Sequence, residues 1–358
     1  METKRKAGAG RKAKYILFAV EIVVIVAMLV VLFLVMNKTS EGPKVATLNP
    51  KVLEIHEEVQ QLKEEGGTMQ GYMNVALFGL DAKSDNELFM NSRSDTTMIA
   101  SINLDTGDIK LVSVYRDTYL NLGTDYYWKC NSAYSYGGAE QAIKMLNMNL
   151  DMDITDFVAV GYKGLIHVID GLGGVYIEVD SEELKHINNY QISIAAVLKC
   201  DYVPVTETGL QLLNGLQATA YCRIRQTKGD DFKRAARQRE VIMAIEEQAK
   251  KADLATLTQV FNDCIGDVYT SIDSEDILAL IGNIANYRIV EEDGFPQSSM
   301  RTTARMGAKG DCVIPVDLES NVVWLHQFLF GDEDYKVTDS VKKYGEQIKA
   351  DTAPYLSK

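Results

Sequence analysis

The sequence predicts an α/β protein: a three-layer α/β/α sandwich around a mixed central sheet, preceded by one transmembrane helix. Three observations predict it. YMNVALFG from Tyr72, TTMIASINL and IKLVSVYR are short runs rich in Val, Ile and aromatics, each closed by turn residues, and read as strands. Beyond them, strand-like and helical runs alternate, which is the signature of helices packed on a sheet. Finally, Tyr15 to Met36 is 22 residues long and almost wholly apolar, which matches the roughly 20 residues a helix needs to cross a bilayer.

Residues 1–14 (METKRKAGAGRKAK) form a basic tail, expected in the cytoplasm by the positive-inside rule. Residues 15–36 read as an uncleaved anchor, because no small-residue cleavage motif follows them. Glu21 sits in the first two turns, where it can snorkel or pair with Lys14. Residues 37–71 comprise a polar linker as far as Pro50 and an amphipathic helix over Lys51–Glu65. That helix places Val52, Ile55, Val59 and Leu62 on one face and stops at Gly66-Gly67.

Residues 72–250 read as the core domain. Asp105-Thr-Gly107 marks a hairpin between the second and third strands. Helices are expected over 139–150 and 162–172, with the strand-like TDFVAVG before the latter and VYIEV at 175–179 after it. Next, 207–221 reads as a helix, CRIR at 222–225 as a strand, and FKRAARQREVIMAIEEQAKKA as a long helix. Residues 251–358 read as a partly helical C-terminal extension packed on that domain. It contains LATLTQVFNDCI, DSEDILALIGNIANY and SNVVWLHQFLFG as helices, and roughly its last 20 residues read as frayed.

The formal net charge is −13. The tail carries +5 and the apolar segment −1, so the rest of the chain carries −17. That acidity argues against nucleic acid as a partner, as does a tail too short to fold into a DNA-binding domain. Five scattered cysteines and four scattered histidines show no zinc spacing. Outside the cell the cysteines allow one or two disulfides; buried apolar thiols are the other reading.

Against this acidic background, residues 221–240 hold five arginines: Arg223, Arg225, Arg234, Arg237 and Arg239. As a strand, Tyr221–Arg225 projects Arg223 and Arg225 from one face. As a helix, Arg234, Arg237 and Gln238 share another. Two readings stand. The arginines converge on a polyanion, which their planar forks bind in pairs, or they are solvated helix residues paired with Asp230, Asp231 and Glu240. Three further polar clusters stand at strand ends: Gly79-Leu-Asp81, Asn91-Ser-Arg93-Ser-Asp95-Thr96 and Tyr115-Arg116-Asp117. Antiparallel pairing of the first two strands brings Asp81 and Asp95 together. That pair suits a magnesium ion completed by water and substrate phosphate, with the arginines neutralising the remaining phosphate charge.

RSDT at 93–96, SxxRDT at Ser113–Thr118, NSAYSYGG at 131–138, IDGLGGV at 169–175 and YxRxR…DxxRxxRQ at 221–238 resemble the LytR-CpsA-Psr family. The resemblance runs from about Met73 to Ala244, and five motifs in order make it specific. It implies a membrane-anchored, extracytoplasmic phosphotransferase with residues 72–250 as its catalytic domain. Such an enzyme moves a polyprenyl-pyrophosphate-linked glycopolymer of teichoic acid or capsule type onto peptidoglycan. It implies Mg2+, or Mn2+ in its place, held by Asp81 and Asp95, with Asp95, Arg116 and Asp81 as catalytic residues. It also implies pyrophosphate contacts from Arg93, Arg116, Arg223, Arg225, Asp231, Arg234 and Gln238. An apolar tunnel for the prenyl chain is expected, with Ile143, Leu146, Phe157, Val160 and Ile166 as candidates for its lining. The chain departs from the family pattern at Tyr115, where Pro is usual, and at Lys83, where Arg is common. Arg237 takes no role and Arg239 reads as a solvated helix residue. Two alternatives remain: a non-catalytic membrane-tethered regulator or polyprenyl-phosphate-binding module, and a lipid pyrophosphatase using the same site.

Overall fold

The computed structural model describes residues 44–81, 88–89 and 92–356. The expected tail and transmembrane helix (residues 1–36), the linker up to residue 43, and Lys83 and Asn91 lie outside the described residues. Among those described, no helix is long and apolar enough to cross a membrane.

The described residues build a seven-stranded mixed sheet. Its spatial order is β1 (Lys44–Val45), β10 (Val268–Thr270), β7 (Asp156–Val160), β2 (Tyr72–Leu80), β3 (Ser94–Asn103), β4 (Asp108–Val114) and β11 (Arg288–Phe295). The three runs expected as strands are β2, β3 and β4, joined antiparallel, while β7 and β11 flank them in parallel. Asn103 Oδ1 accepts from the amides of Asp105 and Thr106, and Gly107 takes φ +74° to close the expected hairpin.

Helices cover both faces. Alternate residues decide which: Val112 and Val114 point into the main core, while Ser113 Oγ accepts from Arg239 on the opposite side. The main core lies between the sheet and three helices, α2 (Ser132–Leu150), α9 (Leu318–Phe330) and α10 (Asp339–Leu356). Phe78 and Phe157, almost fully buried there, each contribute about 1.5–3 kcal/mol by area. A second core joins α3 (Tyr162–Gly171), α4 (Ser181–Leu198), α5 (Gly215–Tyr221) and α6 (Asp230–Lys251) to the two-stranded β8–β9 sheet (Val175–Val179, Gly209–Leu213). The expected helices near 254 and 274 are α7 (Leu254–Cys264) and α8 (Ser274–Gly282).

Several expectations are corrected. The Lys51–Glu65 helix is shorter: Pro50–Val52 is a 3₁₀ turn, and α1 spans Glu57–Glu64. The 207–221 helix divides. Gly209–Leu213 pairs with β8, and only after Asn214, which forms a capping box with Gln217, does α5 begin. CRIR is not a strand but the start of the turn between α5 and α6: the amides of Cys222, Arg223 and Ile224 donate to the carbonyls of Ala218, Ala220 and Tyr221 rather than to a neighbouring strand. The chain's end is not frayed: Val341 and Ile348 of α10 are buried in the main core. Residues 251–358 do more than pack on the domain, since β10 and β11 are strands of the central sheet and Pro43–Lys358 forms one unit. A small β5–β6 hairpin (Tyr119–Asn121, Tyr127–Lys129) and the β12–β13 hairpin (Arg301–Arg305, Asp311–Pro315) complete it. All five cysteines are free.

Candidate functional site

The β2–β3 pairing slips at its end. Gly79 faces Thr96 and Leu80 faces Ser94, which leaves Asp95 as the extra residue of a β-bulge. A bulge re-aims a side chain, and this one presents Asp95 beside the strand end that carries Asp81. Only glycine fits at 79: a Cβ there would lie 2.8 Å from Thr96 Oγ1.

Three arginines from distant stretches converge on Asp95. Arg116 Nη1, in the turn after β4, donates to Oδ1 at 2.7 Å. Arg234 Nη2, from the first turns of α6, lies 3.1 Å from Oδ2 and donates to the Asp95 carbonyl at 2.9 Å. Arg225 Nη2, in the α5–α6 turn, lies 3.6 Å from Oδ2. The same three arginines share Asp231 at 3.2 to 3.5 Å. Arg116 also pairs with Asp117, which Lys129 contacts in turn, so four cations against three carboxylates leave one surplus positive charge. Burial pushes the Asp95 carboxyl up, but Arg234, Arg116 and Arg225 outweigh it and hold the carboxyl below its ordinary value. Burial and then Arg234 and Arg116 push the Arg225 guanidinium down, the mark of crowded cations. Among the described residues, the buried Nε donors of Arg116 and Arg234 have no hydrogen-bond acceptor. Buried donors carry a cost until an acceptor arrives, and an oxyanion supplies several.

The structure therefore brings together Asp95, Arg116, Arg225, Asp231 and Arg234, as expected for one site. Gln238 lines the same cleft, with its Nε2 3.4 Å from the Cys222 carbonyl. Arg223 turns elsewhere: its guanidinium stacks over the rings of Tyr162 at 4.8 Å and Tyr190 at 5.6 Å. It reaches the site's edge through Tyr162, whose hydroxyl donates to Asp81 Oδ1. Arg223 and Arg225 thus do not share a strand face. Arg93 is exposed just before β3, and no ion pair joins it to the cluster among the described residues. Asp81 and Asp95 both act on Tyr162, whose phenol burial and the Asp81 hydrogen bond push up, so it stays protonated.

Of the residues expected to line a prenyl tunnel, Ile143, Leu146 and Phe157 are fully buried in the main core. Val160 lines the cleft beside Tyr162 and Arg223, while Ile166 packs against the second core.

Sequence reasoning missed three supports. Tyr162 opens α3 directly after β7, and an aromatic at a strand's carboxyl end is the signal that marks it. Arg237 is buried: its Nε donates to Glu183 Oε1 at 2.8 Å, Nη1 to the Ile224 carbonyl at 3.1 Å and Nη2 to Thr227 Oγ1 at 2.7 Å. It holds the turn that carries Arg223 and Arg225. Arg239 is not solvated either; it is buried against Ser113 and paired with Glu292. Tyr115, standing where the family usually has Pro, stacks edge-on with Phe232 at 4.7 Å and receives Arg301 on its hydroxyl at 3.0 Å. Gly294 makes room for its ring, since a Cβ there would lie 2.1 Å from the Tyr115 hydroxyl.

Fold and site together define an α/β protein with a partly buried arginine–aspartate cluster at the ends of central strands. The chain matches the LytR_cpsA_psr family over residues 35–315 and belongs to it. The Halalkalibacterium halodurans polyisoprenyl-teichoic acid–peptidoglycan teichoic acid transferase TagU is 30% identical over 202 residues, 55% of this chain and 60% of that protein. TagU of Enterococcus faecalis is 31% identical over 177 residues, 49% of this chain and 53% of that protein. This chain therefore matches about half to three fifths of the length of these relatives. Among solved structures, the Bacillus subtilis protein YwtF (TagT) with bound octaprenyl pyrophosphate lipid has a TM-score of 0.53 at 19% identity, covering 82% of this chain and 98% of that one. That likeness is one of fold.

Proposed function

We propose that this chain is a membrane-anchored, extracytoplasmic phosphotransferase that moves a polyprenyl-pyrophosphate-linked glycopolymer, of teichoic acid or capsule type, onto peptidoglycan. The observation that carries the reading is the cationic surplus around Asp95, Asp117 and Asp231, with the buried Nε donors of Arg116 and Arg234 that make no hydrogen bond among the described residues. Family membership, the TagU relatives and the octaprenyl pyrophosphate in the TagT structure support the same class of substrate. The apolar segment at 15–36 and the basic tail before it support the anchor and its orientation.

In this reading a peptidoglycan hydroxyl forms a bond to the phosphorus that carries the glycopolymer, and its proton passes to the departing phosphate. The bridging bond to the second phosphate breaks, and polyprenyl phosphate leaves with that bond's electron pair. Arg116, Arg225 and Arg234 neutralise the charge that collects on the phosphoryl oxygens. Arg223, held on Tyr162, meets the far phosphate, and Arg93 reaches in from solvent. Asp95 stays ionised and serves as an electrostatic ligand rather than a proton acceptor, since its carboxyl is held low.

In this reading Mg2+, or Mn2+, would be held by Asp81 and Asp95, with phosphate and water completing the shell. Asp81 and Asp95 stand at neighbouring strand ends and act on the same phenol. Among the described residues no group of three or more acidic, His or Cys side chains is placed to hold a metal. When bound, the ion would neutralise phosphate charge.

The test uses the full chain in nanodiscs with a lipid-pyrophosphate-linked glycopolymer. Release of polyprenyl phosphate and attachment of polymer to peptidoglycan are both measured, with and without acceptor. Acceptor-dependent release, lost at least about 100-fold in Arg234→Ala, is the expected result. Release that ignores acceptor would make the protein a lipid pyrophosphatase. No release from the folded wild-type chain would make it a regulator or lipid-binding module.

A further inference from the structure

A second groove lies on the β6 side of the arginine cluster. Arg116 Nε lies 3.6 Å from Asp117, and Asp117 pairs with Lys129 of β6 at 3.1 Å. The groove opens beside that strand. It measures about 460 Å³ and is bounded by the β5–β6 hairpin, the β12–β13 turn and α10.

Its wall is aromatic. Tyr126, just before β6, and Trp128 within it stand two residues apart, their rings parallel within 7° and 6.0 Å between centroids. Tyr136 stands edge-on to Tyr126 at 5.9 Å, and both tyrosines are exposed, at 60% and 44%. The remaining lining is polar and of mixed sign. Lys309 Nζ lies 5.4 Å from the Trp128 centroid, while Asp125 and Lys343 are loosely paired at 3.9 Å and both well exposed. Gln347 Nε2 donates to Asp351 at 2.7 Å, and Asp351 also accepts from the Tyr119 hydroxyl.

Exposed ring faces flanked by short-range donors and acceptors are suited to a saccharide, which offers an apolar C–H face and a rim of hydroxyls. Two carboxylates against two ammoniums leave the groove neutral. A polymer with phosphodiesters along its length would meet Lys309 and Lys343 as well as Asp125 and Asp351, so the groove offers it no net attraction. An uncharged sugar backbone needs only the ring faces and short-range hydrogen bonds found there. Trp128 of the groove precedes Lys129 in β6, and Lys129, Asp117 and Arg116 form a chain of ion pairs that ends at the phosphoryl site. From these relationships we infer that the groove binds the glycan strand of the acceptor and lays it toward Arg116. This inference rests on the transferase reading above and names the surface through which that reaction takes its acceptor.

The chain holds two tryptophans, Trp128 and Trp324, so Trp324→Phe leaves Trp128 as the sole indole reporter. The full chain carrying that substitution, in nanodiscs, is titrated with the tetramer of N-acetylglucosamine and, separately, with a poly(glycerol phosphate) of similar length. Saturable change in Trp128 emission with the neutral tetramer alone is the expected result. It weakens about tenfold in Tyr126→Ala, an exposed position, and also in Asp125→Asn, which keeps a side chain that tolerates the left-handed φ of +56°. In the transfer assay Tyr126→Ala raises KM for acceptor strands about tenfold and leaves KM for the lipid donor where it was.

No response of Trp128 to the tetramer, or an equal response to the polyanion, overturns the inference, as does an unchanged acceptor KM in Tyr126→Ala. Failure of the transferase reading looks different: the tetramer binds at Trp128, but the wild-type chain transfers nothing.

Discussion

Arg237 and Glu183 meet in the interior, Nε to Oε1 at 2.8 Å, with 1% and 2% of their surfaces exposed. Glu183 is also the N3 residue of a capping box: its Oε2 accepts from the Asp180 amide at 3.0 Å while the Asp180 side chain accepts from Glu183 N. One carboxylate therefore starts α4 and anchors the arginine that holds the 222–229 turn.

Removing either partner leaves a buried charge without its counter-ion. Arg237→Ala and Glu183→Gln are each expected to cost about 3–5 kcal/mol of stability, read as a lower denaturation midpoint at unchanged slope. The double substitution Arg237→Ala/Glu183→Gln is expected to cost well under the sum of the two. Equal costs for the double and summed single variants would show that the pair is not coupled.

Arg234 grips Asp95 twice, at the carbonyl and at the carboxylate, and reaches Asp231 with its other nitrogen. Lysine carries the charge but not the fork. Arg234→Lys is expected to lower kcat by about 10- to 100-fold with little change in melting temperature. Wild-type kcat in that variant would place the bidentate contacts outside the reaction.

Tyr162 has two separable contacts. Tyr162→Phe keeps the ring beneath Arg223 and removes the hydrogen bond to Asp81. Its expected signature is a weaker dependence on Mg2+, by about tenfold in the half-saturating concentration, with donor KM retained. Tyr162→Ala is expected to raise donor KM as well. If Tyr162→Phe and wild type respond alike to magnesium, the phenol does not orient Asp81.

His326 supplies a pH test. It is fully buried and stacked on Tyr335 at 3.5 Å; its Nε2 donates to the Leu150 carbonyl, and burial pushes its pKa down to about 4. The folded value lies below the ordinary 6.5, so neutral His326 contributes stability that is complete above pH 6.5. That stability is lost as pH falls toward 4, a difference on the order of a few kcal/mol. Between pH 7 and 4, the melting temperature of wild type is expected to fall more steeply than that of His326→Gln. Parallel slopes would place the acid sensitivity elsewhere.

The three central strands and the Asp81–Asp95 proximity were legible because alternating apolar runs and a DTG turn are local signals. The arginines were legible as a charge cluster, but their division was not. Arg223, Arg225, Arg237 and Arg239 lie within 17 residues, yet they meet Tyr162, Asp95, Glu183 and Glu292 respectively. The CRIR alternation imitates a strand because Ile224 is buried between two outward arginines. Four residues are too few to tell that from a turn. Likewise, GLQLL joins a sheet only because β8 lies beside it.

The sequence by itself determined the apolar segment and its charge asymmetry, the α/β class, the family's motifs and the residue types of a phosphate-handling site. All are written in composition and short-range spacing. The tertiary structure alone decided which arginines reach Asp95 and which are structural, that a bulge presents that aspartate, and that β10 and β11 finish the sheet. It also placed an aromatic groove beside the cluster. Those outcomes depend on contacts between residues tens to hundreds of positions apart, where burial and hydrogen-bond geometry choose among partners that look equivalent along the chain.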